Sequence, residues 1–318
     1  GKTPRHEVID GVEIIRRGGF YFVFIWAFVY YMLRFRGKYD VIVDSENGVP
    51  FFTPLFAKEP VYCLMHHVHQ DVFKRSLSWP LAAIATFLEK QAMPVVYRNV
   101  PFITVSNSTK KDMEQIGLGK KGITIIHPGV DLSALFPAKK SKHPVILYLG
   151  RLKEYKSIDV FIRAVPELAK KFPKAEFIIA GEGEEESNLK KLAKKLHVAD
   201  KVLFTGKVSE KEKLALYQKA WILVNPSMME GWGITTIEAN ACGTPVVASD
   251  VPGLRDSVSN TQSGYLFPYG DVPAIIEKIH TLLQDKKKFI IMSEKSVMWA
   301  KQFTWDKSAE KMKSTLAL

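Results

Sequence analysis

Short apolar runs rich in β-branched residues alternate with amphipathic stretches along most of the chain. Such runs, each bounded by turn residues, predict strands at 41–44, 61–65, 102–106, 123–129, 145–150, 176–183, 202–206, 221–227 and 245–250. Apolar positions with 3.6-residue periodicity predict helices from Ile158 to Phe172, Glu185 to Leu196, Glu210 to Ala220 and Ile234 to Ala241. Strands that alternate with helices form parallel sheets, because parallel neighbours are joined by helical crossovers. The pattern therefore predicts an α/β protein with two doubly wound domains.

A polar, lysine-rich passage from Pro137 to Pro144 interrupts this rhythm, which restarts after it. We place the domain boundary there, which gives a first Rossmann-like domain at 1–138 and a second at 139–300. The last segment, 301–318, is predicted to be a helix capped by Thr304 or Asp306. It is a candidate to pack back on the first domain.

The start of the chain does not follow the usual order of a doubly wound domain. Such a domain begins with a central strand and a glycine-rich turn into its first helix. Here a polar stretch leads through the turn Asp10-Gly11 into a short strand predicted at 12–17. We therefore expect a first domain that is truncated at its start. The residues from Gly1 to Asp10 are too polar for a signal peptide, which favours a cytoplasmic location.

Two segments of the first domain are candidates for contact with a membrane. The aromatic run at 20–33 is shorter than the roughly 20 residues that a membrane-spanning helix needs. It is either a buried helix or an interfacial helix anchored by Arg34, Arg36 and Lys38. The segment 73–90 mixes basic and apolar residues, which suits either a membrane-facing or lipid-acceptor surface or core packing with exposed lysines.

The composition narrows the classes of partner. Apolar residues make up 47% of the 318, enough for sizeable cores, and 45 Lys and Arg against 33 Asp and Glu give a net charge of +12. This charge favours nucleotides, phosphates or an anionic membrane surface. The basic residues are scattered among acids, without zinc-finger or homeodomain spacing, so we expect no nucleic-acid partner. Cys63 and Cys242 are too few for a disulfide framework or a zinc ligand set.

The strongest chemical signal is the acidic, glycine-bearing sequence from Pro226 to Gly233, which follows a predicted strand and precedes a predicted helix. Ligands of doubly wound sheets bind at the carboxyl ends of strands, and a helix that starts there directs its first amides at a phosphate. Glu230 precedes the helix and Glu238 lies about one turn inside it. The two acids can therefore accept hydrogen bonds from two hydroxyl-bearing parts of one ligand, such as a ribose and a hexose.

A second signal is a pair of cations, Arg151 and Lys156, after Gly150 at the end of a predicted strand. An arginine fork and a lysine point charge can stabilise the negative charge that develops on a diphosphate leaving group without a metal. Taken alone, the pair is better explained as ordinary surface charge. Together with the glutamate loop it predicts a binding site for a nucleotide diphosphate.

The chain resembles the retaining GT-B glycosyltransferases of family 4 (glycosyl transferases group 1). The resemblance rests on four blocks, which are GRLKEYK at 150–156, IIAGEGEEESNLKKLA at 178–193, VLFTGKVSEKEKLALYQKA at 202–220 and SMMEGWGITTIEANACGTPVVASDVPGLRD at 227–256. It implies a GT-B fold, in which two doubly wound, Rossmann-like domains face each other across a cleft. The first domain would then take the acceptor and the second the nucleotide sugar, and the family's first strand and glycine-rich loop are missing here.

The resemblance also implies roles for individual residues. Arg151 and Lys156 would contact the diphosphate, Glu230 the hydroxyls of the donor sugar, and Glu238 the ribose. The other donor-binding positions would supply backbone amides or flank the base, and they are Gly150, Lys207, Val208, Gly231, Trp232, Gly233 and Ile234. No metal or other cofactor is obligatory in this family, and the donor would be a UDP- or GDP-sugar.

Histidines cluster after the strand at 61–65, in the sequence MHHVHQDVF at 65–73. A zinc site formed by His66, His67 and His69 is one interpretation, but their spacing is not that of a metalloprotease helix and no acid stands in the matching position. We therefore predict no metal. The family places a histidine near the donor sugar and its phosphate. The resemblance therefore implies four catalytic residues, which are Arg151, Lys156, Glu230 and His66, with His67 as the second choice for the histidine.

The predicted activity is the transfer of a hexose, with retention, from a nucleotide-diphosphate sugar to an acceptor hydroxyl. The predicted acceptor is a glycan, with a lipid-linked or cell-envelope glycan as the leading class, and the predicted location is cytoplasmic with peripheral attachment to the inner face of the membrane. Two alternatives stay open, which are a catalytically impaired, membrane-associated binding module of the same fold and a nucleotide-sugar epimerase.

Overall fold

The computed structural model describes residues 3–46, 48–70, 73 and 77–317, with the side chains of Phe20 and Tyr21 left out. The chain forms two compact units, of which the first is Gly1–Thr104 with Asp112–Thr124 and the second is Val105–Lys111 with Ile125–Leu318. This division differs from the predicted bounds of 1–138, 139–300 and 301–318. The reason is packing, because Val105, Val130, Leu135 and Phe303 all belong to one core of the second unit.

The first unit opens with a hairpin of β1 (His6–Ile9) and β2 (Val12–Ile15), paired in antiparallel fashion. Asp10 and Gly11 both have positive φ, 50° and 83°, as a two-residue type I′ turn requires. A helix was predicted in the aromatic run that follows, and α1 (Gly19–Tyr30) continues there into a π-helical turn at Tyr31–Phe35.

The sheet of the first unit contains β3 (Ile42–Glu46), β4 (Val61–Met65), β5 (Phe102–Thr104) and β6 (Ile123–Ile125), in that spatial order. Neighbours β3 and β4, and β4 and β5, run parallel. Between β4 and β5 lie α2 (Trp79–Phe87), a π-helical segment at Leu88–Ala92 and α3 (Met93–Val96). The basic residues Lys74 and Arg75 of the predicted membrane-facing segment lie outside the described residues.

The second unit contains a parallel sheet in the spatial order β12-β11-β10-β7-β8-β9. Its strands are β7 (Val145–Leu149), β8 (Glu176–Ala180), β9 (Val202–Gly206), β10 (Ile222–Asn225), β11 (Val246–Ser249) and β12 (Gly264–Phe267). Numbered from β7, this order is 3-2-1-4-5-6, the arrangement of the Rossmann fold. The predicted α/β class with two Rossmann-like domains is confirmed.

Helices cover both faces of this sheet because each carries an apolar stripe. They are α5 (Ile158–Lys171), α6 (Glu186–Lys195), α7 (Glu210–Lys219), α8 (Ile234–Ala241), α9 (Leu254–Ser257), α10 (Val272–Gln284) and α11 (Lys286–Ala300). The connection from β5 carries α4 (Asn107–Gln115), and the chain ends with α12 (Trp305–Leu316). Thr304 caps α12 by accepting a hydrogen bond from the Lys307 amide, as predicted. Among the described residues, the helices are all too short or too polar to cross a bilayer.

Candidate active site

Two loops of the second unit meet where the strand order of its sheet reverses. The reversal lies between β7 and β10, and the loops that follow these strands are 150–157 and 226–233. A ligand of a doubly wound sheet binds in the crevice at this switch point. The Met228 amide donates a hydrogen bond of 2.8 Å to the Tyr155 carbonyl and joins the two loops. The sequence blocks predicted to act together are therefore adjacent.

The centre of this arrangement is an ion pair between Lys156 and Glu230. The Lys156 Nζ lies 2.5 Å from Glu230 Oε1, and the two side chains are only 14% and 15% exposed. The Ser227 hydroxyl lies 3.0 Å from the same carboxylate oxygen and 2.7 Å from Asn225 Oδ1. A charge-assisted contact shielded from water is stronger than one on an open surface. The pair thus presents a fixed cation beside a fixed acid.

Arg151 lies in the same loop as Lys156 but is exposed, and its guanidinium donates to the Tyr155 hydroxyl at 2.7 Å. The backbone of this loop is held from behind by the turn after β8, through bonds from the Gly150 amide to the Ala180 carbonyl and from the Leu152 amide to the Glu182 carbonyl. A Cβ on Gly181 would lie 1.9 Å from the Gly150 carbonyl oxygen. Glycine is therefore required there for close backbone packing.

Helix α8 follows the glutamate loop directly, and its bounds are those predicted from the sequence. Gly233 precedes the helix with φ of 78°, and a Cβ there would lie 2.6 Å from Leu254 Cδ2. Positive φ and lack of space both require glycine at this position. The first amides of α8 have no partner inside the helix, so this end can bind an anion.

Glu238 lies one turn inside α8 and is held by two residues of α7. Its carboxylate accepts hydrogen bonds from the Tyr217 hydroxyl at 2.8 Å and from Lys213 Nζ at 3.1 Å. Burial lowers the pKa of Lys213, but the hydrogen bond to Glu210 and the charge of Glu238 outweigh it and raise the pKa. The sequence did not point to Lys213 or Tyr217 as part of the site.

The remaining predicted donor-binding residues differ in exposure. Lys207 follows β9 and is exposed, and the neighbouring Val208 is half-buried, as are Gly150, Gly231 and Ile234. Trp232 is buried, and its ring stacks on His127 with centroids 4.4 Å apart. The Trp232 side chain therefore packs in the core, and only its backbone is available to the loop.

His66 belongs to the first unit, one residue after β4. Its side chain is exposed in part, and its pKa is lowered first by burial and then by the charge of the nearby His69. His69 is buried instead, with its ring centroid 4.0 Å from that of His67. Two buried acids, Glu46 and Glu89, approach His69, and neither was predicted from the sequence.

Comparison with known proteins gives matches to both halves of the chain. The family of glycosyl transferases group 1 matches residues 135–301, and glycosyltransferase family 4 matches residues 2–134. Glycogen synthase of Mycobacterium tuberculosis is 31% identical over 222 residues, which are 69% of this chain and 54% of that protein. D-inositol 3-phosphate glycosyltransferase of Thermobispora bispora is 29% identical over 304 residues, 87% of this chain and 70% of that protein. The chain spans about half the length of several curated relatives it matches.

Solved structures share the fold at low sequence identity. Sucrose-phosphate synthase from Thermosynechococcus elongatus has a TM-score of 0.82 at 22% identity, covering 98% of this chain and 85% of that one. Anabaena HepE in complex with UDP and glucose has a TM-score of 0.72 at 20% identity, covering 88% and 78%. Because the group 1 family matches more than half of the chain and family 4 most of the rest, this protein belongs to the glycosyl transferases group 1, within family 4, and has the GT-B fold.

Proposed function

We propose that this chain is a retaining glycosyltransferase that moves a hexose from a nucleotide-diphosphate sugar to an acceptor hydroxyl. The observation that carries the proposal is the shielded Lys156–Glu230 pair at the switch point of the second unit's sheet. A cation suited to a diphosphate lies directly beside an acid suited to sugar hydroxyls, where the fold class binds its ligands.

The leaving nucleotide diphosphate gains negative charge as its bond to the sugar breaks. Lys156 and the exposed guanidinium of Arg151 supply positive charge there, and the N-terminal amides of α8 supply oriented donors. Because these groups are fixed before the reaction, they stabilise the developing charge without reorganising. They also do so without a metal ion at the diphosphate.

The two glutamates recognise the two sugars of the donor. Glu230 accepts hydrogen bonds from the hexose hydroxyls, with Ser227 setting the orientation of its carboxylate. Glu238 accepts hydrogen bonds from the ribose, and its carboxylate is oriented by Lys213 and Tyr217. Val208 and Lys207 flank the base at the end of β9.

Retention of configuration follows if the acceptor attacks from the face that the diphosphate leaves. The bond from the anomeric carbon to the phosphate oxygen breaks, the bond to the acceptor oxygen forms, and the departing phosphate takes the proton of the acceptor hydroxyl. This scheme needs no protein nucleophile. His66 is the histidine assigned to contact the donor sugar or its phosphate.

A UDP-sugar is the preferred donor over a GDP-sugar. Two solved structures with the same fold are complexes with UDP, namely Anabaena HepE and a Staphylococcus aureus TarM mutant. Both support UDP-hexoses as the first donors to test.

The acceptor in this proposal is a lipid-linked or cell-envelope glycan at the inner face of the membrane. Helix α2 exposes Trp79, Leu81, Ile84 and Phe87 to solvent, and Trp79 is 83% exposed. Helix α1 of the same unit exposes four more apolar residues, which are Phe22, Ile25, Trp26 and Phe28. Clusters of exposed apolar side chains on a basic protein favour attachment to an anionic membrane surface.

Thermal unfolding with nucleotides tests the donor assignment, because a ligand that binds only the folded state stabilises it by mass action. We expect UDP-glucose and UDP to raise the melting temperature of the wild type, and GDP-mannose to raise it less. The Arg151→Ala and Lys156→Ala variants should lose most of the shift. A wild type that responds to none of these nucleotides would contradict the proposal.

Retention is tested separately, by NMR of the anomeric proton of the product.

Flotation with liposomes tests the attachment separately. The wild type should float with anionic vesicles and remain in solution with zwitterionic ones. Trp79→Ser with Phe87→Ser should remain in solution in both cases while keeping its response to UDP. Equal flotation of this double variant would contradict the assigned surface.

A further inference from the structure

Three side chains that the proposed reaction does not use converge in the interior of the first unit. Glu46 is the last residue of β3, His69 lies four residues after β4, and Glu89 lies in the π-helical segment after α2. Their exposed fractions are 0%, 5% and 0%. Two acids and one imidazole are thus removed from water together.

The side chains of this cluster lie close together but form no side-chain-to-side-chain hydrogen bonds with one another. His69 Nδ1 lies 3.4 Å from Glu89 Oε1 and 3.7 Å from Glu46 Oε2. The three residues each offer one candidate ligand atom, and these three atoms lie within 4.8 Å of one another. Glu46 Oε2, Glu89 Oε2 and both ring nitrogens of His69 have no hydrogen-bond partner among the described residues. Burying such groups without partners is costly, so their convergence needs an explanation.

Backbone contacts hold the two acids in this position. Glu46 Oε1 accepts a hydrogen bond of 2.7 Å from the Gly48 amide. Glu89 Oε1 accepts one of the same length from the His69 amide. One oxygen of each carboxylate is therefore fixed by the backbone, and the other is left without a hydrogen bond. This is the orientation expected of carboxylates prepared for another ligand.

Helix α2 and the π-helical segment after it bury Glu89, while larger apolar side chains of the same stretch are exposed. The buried side chains of this stretch are Ala82, Ala85 and Glu89, whereas Ile84 and Phe87 are exposed. The local π-helical geometry around Glu89 is rare and occurs frequently at functional sites. The inward direction of this carboxylate is therefore not a by-product of apolar packing.

We infer that Glu46, His69 and Glu89 bind one divalent cation of the zinc type. Bonds of about 2.0–2.1 Å at tetrahedral angles place neighbouring ligand atoms about 3.3 Å apart, close to the 3.7 Å between His69 Nδ1 and Glu46 Oε2, two atoms without hydrogen-bond partners among the described residues. Two carboxylates and a neutral imidazole are balanced by a charge of +2. A nitrogen ligand and a dry interior suit zinc better than magnesium, which prefers oxygen ligands and keeps its waters.

This site differs from the histidine site that the sequence suggested. It uses His69 but takes its two acids from positions 23 residues before and 20 residues after it, a spacing that no short metal motif has. Its metal joins the end of β3, the histidine segment and the π-helical segment. The role of the metal is to stabilise the first unit, and the diphosphate chemistry of the second unit does not depend on it.

Calorimetric titration of the chelator-treated full chain with Zn²⁺ tests the proposal. We expect one tight site per chain, and a rise in melting temperature with Zn²⁺ but not with Mg²⁺. Glu46→Gln and Glu89→Gln keep the side-chain shape but remove a ligand charge. Each should weaken binding by more than about 100-fold, since loss of groups that only orient a ligand already costs roughly 10- to 100-fold. His6→Gln changes an exposed histidine paired with Glu13 and serves as the matched control with unchanged binding.

Cobalt substitution of the wild type makes the test independent of whether the variants fold. Bound Co²⁺ should give the strong visible absorption of a tetrahedral site, which excess Zn²⁺ abolishes. A wild type that binds no Zn²⁺, a weak octahedral cobalt spectrum, or folded Glu46→Gln and Glu89→Gln variants that bind like the wild type would each overturn the inference.

Discussion

Replacing Lys156 by alanine removes the cation of the Lys156–Glu230 pair and leaves its acid in place. Breaking a fully buried ion pair from one side costs about 3–5 kcal/mol, because the remaining charge is left without compensation. Here the two side chains keep 14% and 15% exposure, and the Ser227 hydroxyl stays beside Glu230. We therefore expect a smaller loss, about 1–3 kcal/mol in the free energy of unfolding.

The effect of Lys156→Ala on turnover should exceed its effect on stability. Removal of one preorganised donor from a site of developing negative charge costs about 100- to 1,000-fold in kcat, or about 3–4 kcal/mol. The assay is steady-state transfer or donor hydrolysis with the donor identified by thermal shift, run well below the melting temperature of the variant. The loss should appear in kcat as well as in KM, because Lys156 contacts the diphosphate in the ground state and the charge of the diphosphate grows further in the transition state.

Lys153→Ala is the matched control, since Lys153 lies in the same loop but pairs with Glu184 on the exposed surface. An exposed pair contributes at most about 1 kcal/mol to the free energy of unfolding, so Lys153→Ala should stay folded. Because Lys153 has no proposed contact with the donor, this variant should stay within about twofold of the wild-type rate. A folded Lys156→Ala variant that works within threefold of the wild type would refute the role assigned to the lysine. Equal losses in both variants would point to the loop as a whole.

Three further results are expected. Glu238→Gln should raise KM for the donor about tenfold with little change in kcat, because ribose binding is the same in ground and transition states; a loss confined to kcat would argue against the ribose role. Gly233→Ala should destabilise the chain by about 2 kcal/mol in denaturant titrations, and Gly206→Ala by about 1 kcal/mol, since both glycines have positive φ but only the first lacks space for a Cβ; equal losses would contradict the packing argument. Burial lowers the pKa of Lys140 to about 8, so the unfolded chain binds more protons between that pH and the ordinary lysine value of about 10.4. Stability should therefore rise with pH across this window, by at most about 1.4 kcal/mol per unit, and Lys140→Met should abolish that rise.

Periodicity predicted the regular elements of the second unit well, because its strands and helices carry strong patterns. The predicted and observed bounds of α8 are identical, and α5 differs only at its last residue. The sequence missed β12 and β1. β1 is short and mostly exposed, and β12 is a run of only four residues that begins with glycine, so pairing with a neighbouring strand determines each of them more than its own composition does.

The candidate site was predictable where its chemistry lies in short blocks and not where it depends on packing between distant elements. The blocks placed Lys156 and Glu230 in two loops, and the strand order brings these together. The partners of Glu238 are on another helix, 21 and 25 residues earlier in the chain. No local pattern encodes such a distance. The roles of Arg151, Lys156, Glu230, Glu238 and His66 in catalysis or binding stay predictions.

The chain passes between the two compact units more than once, which determines how it can be divided for study. Residues 105–111 join the second unit before 112–124 return to the first. A recombinant fragment that begins at Lys139 would omit Val105, Val130 and Leu135 from a core to which they contribute, and would also lose the contact between the Ser108 amide and Asp256. Such a fragment would expose apolar surface and be prone to aggregate. Ligand-binding studies are therefore better served by the undivided polypeptide than by an excised second unit.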